Sequence, residues 1–504
     1  MIISQKKDSK VKKRLPNIII ILADDLGYGD LSCYGSELHR TPNLDRLGKE
    51  GVQLLDFSMA SSVCSPSRSA LMTGCYPRRI GLGYGSEYGV LFPGDPIGLN
   101  PKETTIASML KNRGYSTEMI GKWHLGDQPP FLPLNHGFDG YLGLPYSNDM
   151  HPFHFLNGKN IDFPPLPYIE NNKVIEVEPD QTTLLERYTN HAIKTIRKNR
   201  SKPFFLYFSH FYVHIPLEVP KRFLETSRNG KYGAAVEAID WSTGKIIKAL
   251  EEENILDNTL IIFTSDNGGA PFGSNRPLRG GKGSVYEGGF RVPGIFKGPG
   301  INGTPGKRDG MMNAMDILPT IASLTGAELP ELKIDGLNQK SFLDGSSSSA
   351  RESFFYYCSD NLCAIRKGPW KLIKDTGPVK STAEWGPPGM VGLTNKTVPK
   401  IGLFNLEKDL IECIDLSNEE PDKVIDLHKL EKESLADLGD RSRELKGKGC
   451  RESGYVPNPQ TLVKLEDATI ETRAAYDLDD YEGYRNLTPQ HKGYKRLKFH
   501  KKIN

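Results

Sequence analysis

The sequence predicts an α/β protein: a large, mostly parallel or mixed β-sheet sandwiched by helices, followed by a smaller C-terminal α+β domain containing an antiparallel sheet. Three observations predict it. Continuous apolar runs alternate with amphipathic stretches through the first two thirds of the chain; acidic or basic residues stand at the ends of those runs; and a serine-rich break, KSFLDGSSSSARES, precedes a tract of different pattern. A chain of 504 residues is long enough for this division, with expected units at 15–350 and 351–504.

The elements follow in order. LPNIIIILADD is a continuous β-branched run that stops at Asp24 and Asp25, as a central strand covered on both faces should. TTIASMLKNRG reads as a helix closed by Gly114, and YSTEMIGKWHLG as the strand and loop after it. A helix is predicted at 182–199, a strand at PFFLYFSHF, and a long helix at 233–253 with Val236, Ile239, Ile246 and Leu250 at helical spacing. NTLIIFTSDNGG is a further buried strand, ending at Asp266 and Asn267. Beyond the serine-rich break, FFYYCSDNLCAIRKGPWKLIKD predicts antiparallel strands with a Gly-Pro turn between them, and residues 376–400 a long loop.

Composition excludes several classes. Net charge is only +3 and the charges are well mixed, which argues against a dedicated nucleic-acid or membrane protein. Basic runs at 6–14 and 485–502 read as solvated tails, with a polyanion such as a sulfated polysaccharide as their alternative partner. No apolar run is long enough to span a membrane. The N-terminus has no apolar signal core or cleavage site before Pro16. Taken literally this predicts a cytoplasmic protein; a processed or misplaced start would make it periplasmic or secreted. The seven cysteines (33, 64, 75, 358, 363, 413, 450) are odd in number and contain no C-x-x-C pair, so neither a disulfide framework nor a zinc site is expected. By itself Cys64, in SSVCSPSRSALMTG, is a disulfide half, a metal ligand or a small buried residue, and the following Ser-Pro-Ser-Arg suits the first turn of a helix.

Ligands of such sheets gather beyond the carboxyl ends of the strands, where Asp24, Asp25, Lys122, His124, His214, Asp266 and Asn267 all fall. If the three aspartates converge, each pair at about 4 Å repels by roughly 4 kcal/mol at an effective dielectric near 20, so the cluster needs a cation or raised pKa values. With the Asn267 amide oxygen the donors are all oxygen, which implies Ca²⁺ or Mg²⁺ rather than zinc. Gly268 and Gly269 are expected to let the backbone turn sharply there. Arg68, Lys122 and Lys282 supply positive charge for a tetrahedral oxyanion, phosphate or sulfate, and His124 and His214 suit proton transfer in ester cleavage.

CSPSR at 64–68 matches the C-x-P-S-R signature of the type I, formylglycine-dependent sulfatases of the alkaline phosphatase superfamily. The resemblance extends in the family's order through NIIIILADDLGYGDLSCYG, TPNLDRL, GKWHLG, HGFDGYLGLPYSND, PFFLYFSHFYVHIP, FTSDNGG and GGKGSVYEGGFRVP, and more weakly into GLFNLEKDLIECIDL. FLETSRNGKYGAAVEAIDWSTGKI is most similar to the branch holding arylsulfatase A and N-acetylgalactosamine-6-sulfatase. The resemblance implies a sulfatase that cleaves a sulfate monoester to alcohol and sulfate, with Cys64 oxidised to formylglycine by a formylglycine-generating enzyme. It implies Ca²⁺, with Mg²⁺ as second choice, held by Asp24, Asp25, modified Cys64, Asp266 and Asn267. It places Arg68 and Lys122 on the formylglycine hydrate, Lys122, Ser147, His214 and Lys282 on the sulfate, His214 and Lys282 at the leaving group, and His124 as base of the second step. His210 competes with His214, but the following Ile-Pro places His214 in the motif.

One residue departs from the family pattern: Cys75 follows Thr-Gly where many relatives carry arginine, with Arg78 and Arg79 as compensating candidates and a Cys64–Cys75 disulfide as an inactivating possibility. Two rival readings are a phosphate or phosphonate monoester hydrolase of the same superfamily, and an unmodified, non-catalytic binder of sulfated glycans. For substrate, a sulfated saccharide is preferred over a small aryl or steroid sulfate, with SNDMHPFHF as a carbohydrate-facing loop.

Overall fold

The computed structural model describes residues 14–84, 89–152, 163–301, 305–374 and 401–467. The stretch 376–400, the basic runs except Arg14, and the end of SNDMHPFHF lie outside those residues.

Ten strands form one mixed sheet: β1 (Asn17–Ala23), β2 (Val52–Leu54), β3 (Ser116–Lys122), β4 (Gly140–Leu144), β5 (Pro167–Glu170), β6 (Lys173–Val177), β7 (Phe204–Ser209), β8 (Thr259–Ser265), β9 (Gly294–Lys297) and β10 (Gly306–Arg308). Their order is β10-β2-β9-β8-β1-β7-β3-β4-β5-β6. The five central strands β8, β1, β7, β3 and β4 are mutually parallel. Pairing turns antiparallel at β9 on one side and at β5 on the other.

Every residue of β1 is buried. Ile19, Ile21 and Ala23 pack into one core with Leu44 and Leu47 of α1 (Pro42–Glu50), Leu184 and Tyr188 of α4 (Gln181–Lys198) and Val236 and Ile239 of α5 (Gly230–Glu252). Ile18, Ile20 and Leu22 pack into the other with Leu71 of α2 (Cys64–Thr73), Leu110 of α3 (Ile106–Asn112) and Leu318 of α6 (Ile317–Thr325). Helices on both faces are why β1 carries an unbroken isoleucine run instead of an alternating one. Local signals set the helix ends: Thr105 and Ser108 form a capping box on α3, Asp180 accepts from Thr182 N at the start of α4, and Gly74, with φ 69°, ends α2.

The second sheet is antiparallel, in order β11 (Ser353–Cys358), β12 (Asn361–Lys367), β13 (Trp370–Ile373) and β14 (Gly402–Asn405). Gly368-Pro369 joins β12 to β13 as expected, while Ser359 and Asp360, both at positive φ, turn β11 into β12. Its apolar residues share a third core with Leu427 and Leu438 of α7 (Pro421–Leu438) and with Val285, Tyr286 and Phe290 of the large body. The chain then returns: Gly454–Tyr455 pairs with Ile97–Gly98 beside the main sheet. Among the described residues no helix is long and apolar enough to cross a membrane.

Candidate active site

Parallel register brings the site together. Ala23 lies level with Ser265 and Leu22 with Ser209, so β1 and β8 end side by side and Asp24 and Asp266 emerge as neighbours. The strand ends are stitched by Asp266 N to Ala23 O at 3.1 Å and Val213 N to Asp24 O at 2.6 Å. Asp25 turns off its strand at φ 62° and His124 off β3 at φ 61°, left-handed conformations that cost non-glycine residues energy and cluster at functional sites. Between β3 and β7, Gly121 is obligatory: at φ 102° a Cβ there falls 1.7 Å from Ser209 O. Gly268 and Gly269 differ from expectation. Neither has positive φ; they are needed for close approach, since a Cβ on Gly268 meets Gly288 O at 1.7 Å and one on Gly269 meets Gly27 Cα at 2.8 Å.

Asp24, Asp25, Asp266 and Cys64 each present a ligand atom, all within 4.8 Å of one another, and all four residues are buried. Cys64 opens α2, as its proline-containing context predicts, with Sγ 3.7 Å from Asp24 Oδ1. Arg68, one turn along the same helix and fully buried, reaches Asp266 Oδ2 from Nη2 at 2.8 Å and Asp24 Oδ2 at 3.4 Å, and donates from Nη1 to Lys122 O and Ser209 Oγ. Lys122 Nζ stands 2.5 Å from Asp24 Oδ2 and 3.1 Å from Ser147 Oγ. Lys282 Nζ approaches Asp25 Oδ2 at 2.8 Å, and His214 Nε2 lies 3.7 Å from the same oxygen.

The electrostatics follow. Burial pushes the Asp24 carboxyl up, but Lys122 and Arg68 beside it hold it below the ordinary value. Burial together with the Asp24 charge raises Asp266. Burial works against the Lys282 ammonium, yet Asp25 and its neighbours keep it well above the usual lysine range. The Cys64 thiol is raised by burial, so an unmodified Cys64 is a neutral thiol and a poor nucleophile. His124 is pushed well below its ordinary value by burial and then by Lys122 and Arg68. Its Nε2 lies 2.9 Å from Leu91 O, a pure acceptor, so Nε2 carries the hydrogen and the buried Nδ1, which has no hydrogen-bond partner, keeps its lone pair. In His214 the carbonyl of Ile215 at 2.6 Å fixes the hydrogen on Nδ1 and leaves Nε2 facing Asp25.

The donors suit a hard divalent cation. Besides the three carboxylates, Asn267 donates from Nδ2 to Asp25 Oδ1 at 2.8 Å, while its own Oδ1 is buried without a hydrogen-bond partner. His210 is placed elsewhere: buried against the Phe208 ring, it is pushed by burial down to about 3. Sequence reasoning missed Ser209 and the Leu91 carbonyl. The strand-end position of Ser209 could have flagged it; a main-chain acceptor leaves no residue signature.

Cys64 and Cys75 are both free thiols. Cys75 is packed against the tail segment, with Arg451 Nη2 3.4 Å from its Sγ and Arg451 also paired to Glu103 at 2.7 Å. Arg78 and Arg79 are taken up by Asp360 and by Asp335 and Asp437 respectively.

A buried acidic cluster able to hold a cation, flanked by three positive side chains and two histidines of defined tautomer, at the ends of parallel strands is the equipment of a hydrolase for esters of tetrahedral oxyanions, on the fold of the alkaline phosphatase superfamily. The comparisons narrow this class. The family model described as Sulfatase matches residues 16–327. Human arylsulfatase A is 38% identical over 382 residues, covering 71% of this chain and 74% of that protein, and human steryl-sulfatase is 37% identical over 431 residues, covering 70% and 74%. The crystal structure of Ps i-CgsB in complex with k-i-k-neocarrahexaose superposes with a TM-score of 0.70 at 30% identity, covering 86% of this chain and 95% of that one. The chain belongs to the sulfatase family and is a sulfuric ester hydrolase. That family uses Ca²⁺ and formylglycine, and the acidic cluster here is compatible with such a cation.

Proposed function

We propose that the protein is a Ca²⁺-dependent, formylglycine-bearing sulfatase acting on a sulfated saccharide, with residues 15–350 as its catalytic unit and 351–504 as an accessory unit. The observation that most supports this reading is the convergence of Cys64 Sγ with the carboxylates of Asp24, Asp25 and Asp266. Asp24, Asp25, Asp266, Asn267 and position 64 would hold the ion. Oxidised and hydrated, position 64 would supply two geminal hydroxyls, one to attack sulfur and one to release sulfate, and the ion would make them more acidic.

The remaining side chains perform the rest. Arg68 keeps Asp24 and Asp266 apart in charge and orients position 64 from one turn away. Lys122 Nζ, already shared between Asp24 and Ser147 Oγ, has a third hydrogen for a sulfate oxygen. Lys282 Nζ, beside Asp25, delivers a proton to the departing alcohol oxygen, as does His214 from Nε2 once its ring carries a second proton alongside the one on Nδ1. His124 Nδ1 takes the proton of the second step; with its ring held neutral it is ready to do so at neutral pH.

The saccharide preference draws support from the neocarrahexaose complex of a structural relative. The test is the mass of the tryptic peptide containing Cys64, from protein made alongside a formylglycine-generating enzyme, together with desulfation of defined sulfated saccharides and an aryl sulfate. Aldehyde at position 64 with saccharide turnover is expected. A free thiol with undiminished sulfate release overturns the nucleophile assignment, a free thiol without turnover favours a glycan binder, and activity on the aryl compound alone overturns the saccharide preference.

A further inference from the structure

Lys282 sits in a glycine-rich loop, RGGKGSVYEGG, whose own backbone is too permissive to fix a side chain at a reacting oxygen. The tip is tied to the large body by Lys282 N to Gly269 O at 3.1 Å and Gly283 N to Ser62 O at 2.9 Å, and the two ends of the loop are held from the second sheet. Lys371, on β13 and fully buried, places Nζ 2.9 Å from Val285 O, 3.0 Å from Glu287 Oε1 and 2.8 Å from Glu412 Oε1. Glu412, in the segment after β14, accepts from Glu287 N at 2.7 Å through Oε2. Its main-chain carbonyl accepts from Arg279 Nη1 at 2.9 Å, and the Arg279 guanidinium lies 4.1 Å from the Tyr286 ring centre. The loop is therefore gripped at its first residue, Arg279, and at its last turn, Val285 to Glu287, by two residues distant in sequence. Lys282 projects from between the grips.

A buried lysine flanked by two glutamates is poor value as a source of stability alone, because desolvation offsets most of the attraction; such groups are better at fixing one geometry among several. Neither Lys371 nor Glu412 is among the residues that meet in the acidic cluster. We infer that Lys371 and Glu412 are positioning residues of the sulfatase reaction, through which the C-terminal sheet holds Lys282 at the leaving-group oxygen. This rests on the role proposed above for Lys282.

The inference has a signature that general loosening of the fold lacks. If Lys282 protonates or stabilises the departing oxygen, misplacing it harms a substrate with a poor leaving group far more than one with a good leaving group. The experiment compares kcat for phenyl sulfate and nitrophenyl sulfate in Lys371→Met, Lys282→Ala and the double variant, normalised to formylglycine content. Lys371→Met is expected to lose about tenfold on phenyl sulfate and about twofold on nitrophenyl sulfate, a misplacement effect smaller than the ~10²-fold expected for removing the acid itself. In the Lys282→Ala background it should cost nothing further. Equal losses on both substrates, or losses that multiply in the double variant, overturn the inference. An unchanged phenyl sulfate rate in Lys282→Ala instead overturns the assignment of Lys282, and the positioning role with it. Arg279→Gln, at a partly exposed site, carries the same test if Lys371→Met does not fold.

Discussion

Arg68 and Asp266, 198 residues apart, are joined by two contacts to one oxygen, from Nε at 2.9 Å and Nη2 at 2.8 Å, with both side chains fully buried. The same guanidinium reaches Asp24, Ser209 and the Lys122 carbonyl, so one planar group ties together the ends of β1, β3, β7 and β8. Arg68→Ala leaves two buried acids short of a counter-charge, and should cost about 3–5 kcal/mol and abolish turnover. Urea unfolding in the presence of Ca²⁺ checks this; a wild-type midpoint would refute the bridging role. Arg68→Lys should rescue little, because a point charge cannot span these acceptors.

Chelation should remove activity and lower the melting temperature together. An ion that binds only the folded chain stabilises it by about 2.7 kcal/mol when present at a hundred times its Kd. Calorimetry with EGTA and with added Ca²⁺ measures the shift, and Asp25→Asn should reduce it. A melting temperature indifferent to Ca²⁺ in the wild type sinks the metal assignment.

His124→Gln should stall the second step and spare the first. A burst of released alcohol, stoichiometric with aldehyde-bearing enzyme and followed by a slow phase, is the expected trace in a stopped-flow assay. In the wild type, burial and the neighbouring cations keep His124 neutral until the pH lies well below 6.5, so its ionisation should not limit the rate near neutrality. A His124→Gln variant with unaltered steady-state rate contradicts the base assignment.

His210 offers a pH test away from the chemistry. Its folded pKa, lowered by burial to about 3 from the ordinary 6.5, means the unfolded chain takes up a proton below 6.5 that the folded chain refuses until about 3. Its contribution to stability is therefore complete above 6.5 and is lost progressively as the pH falls towards 3. His210→Phe should gain about 2 kcal/mol on wild type between pH 7 and pH 5, at about 1.4 kcal/mol per unit. Denaturant midpoints of the pair at the two pH values decide it: a constant difference means His210 is not held neutral by the fold.

The strand-end residues were legible because parallel strands under helices have a strong sequence signature and a fixed functional end. Asp24, Lys122 and Asp266 each sit at or directly after an apolar run, and the structure brings all three to the Arg68 guanidinium or its immediate partners. The sheet's margins were not legible. β6 is solvent-exposed without alternation, and β9 has four residues that begin with glycine, so neither carries a periodic signal. Contacts made by main chain were invisible for a related reason: Leu91 holds His124 through its carbonyl, which every residue type possesses. In sequence Gly268 and Gly269 suggest a bend because glycine most often marks one, whereas here the demand comes from Gly27 and Gly288, each more than fifteen residues away in sequence.

The level ending of β1 and β8 also has a meaning in time. Asp24 and Asp266 become neighbours only once Ala23 has aligned with Ser265 across a sequence separation of 242, and a slip of one position separates them. Until that alignment is reached there is no cage for an ion to enter, so an ion bound there would not guide early folding and would act only as a late latch on a sheet already in register. Refolding begun without the ion should accordingly run at the same initial rate and fail only at its last step.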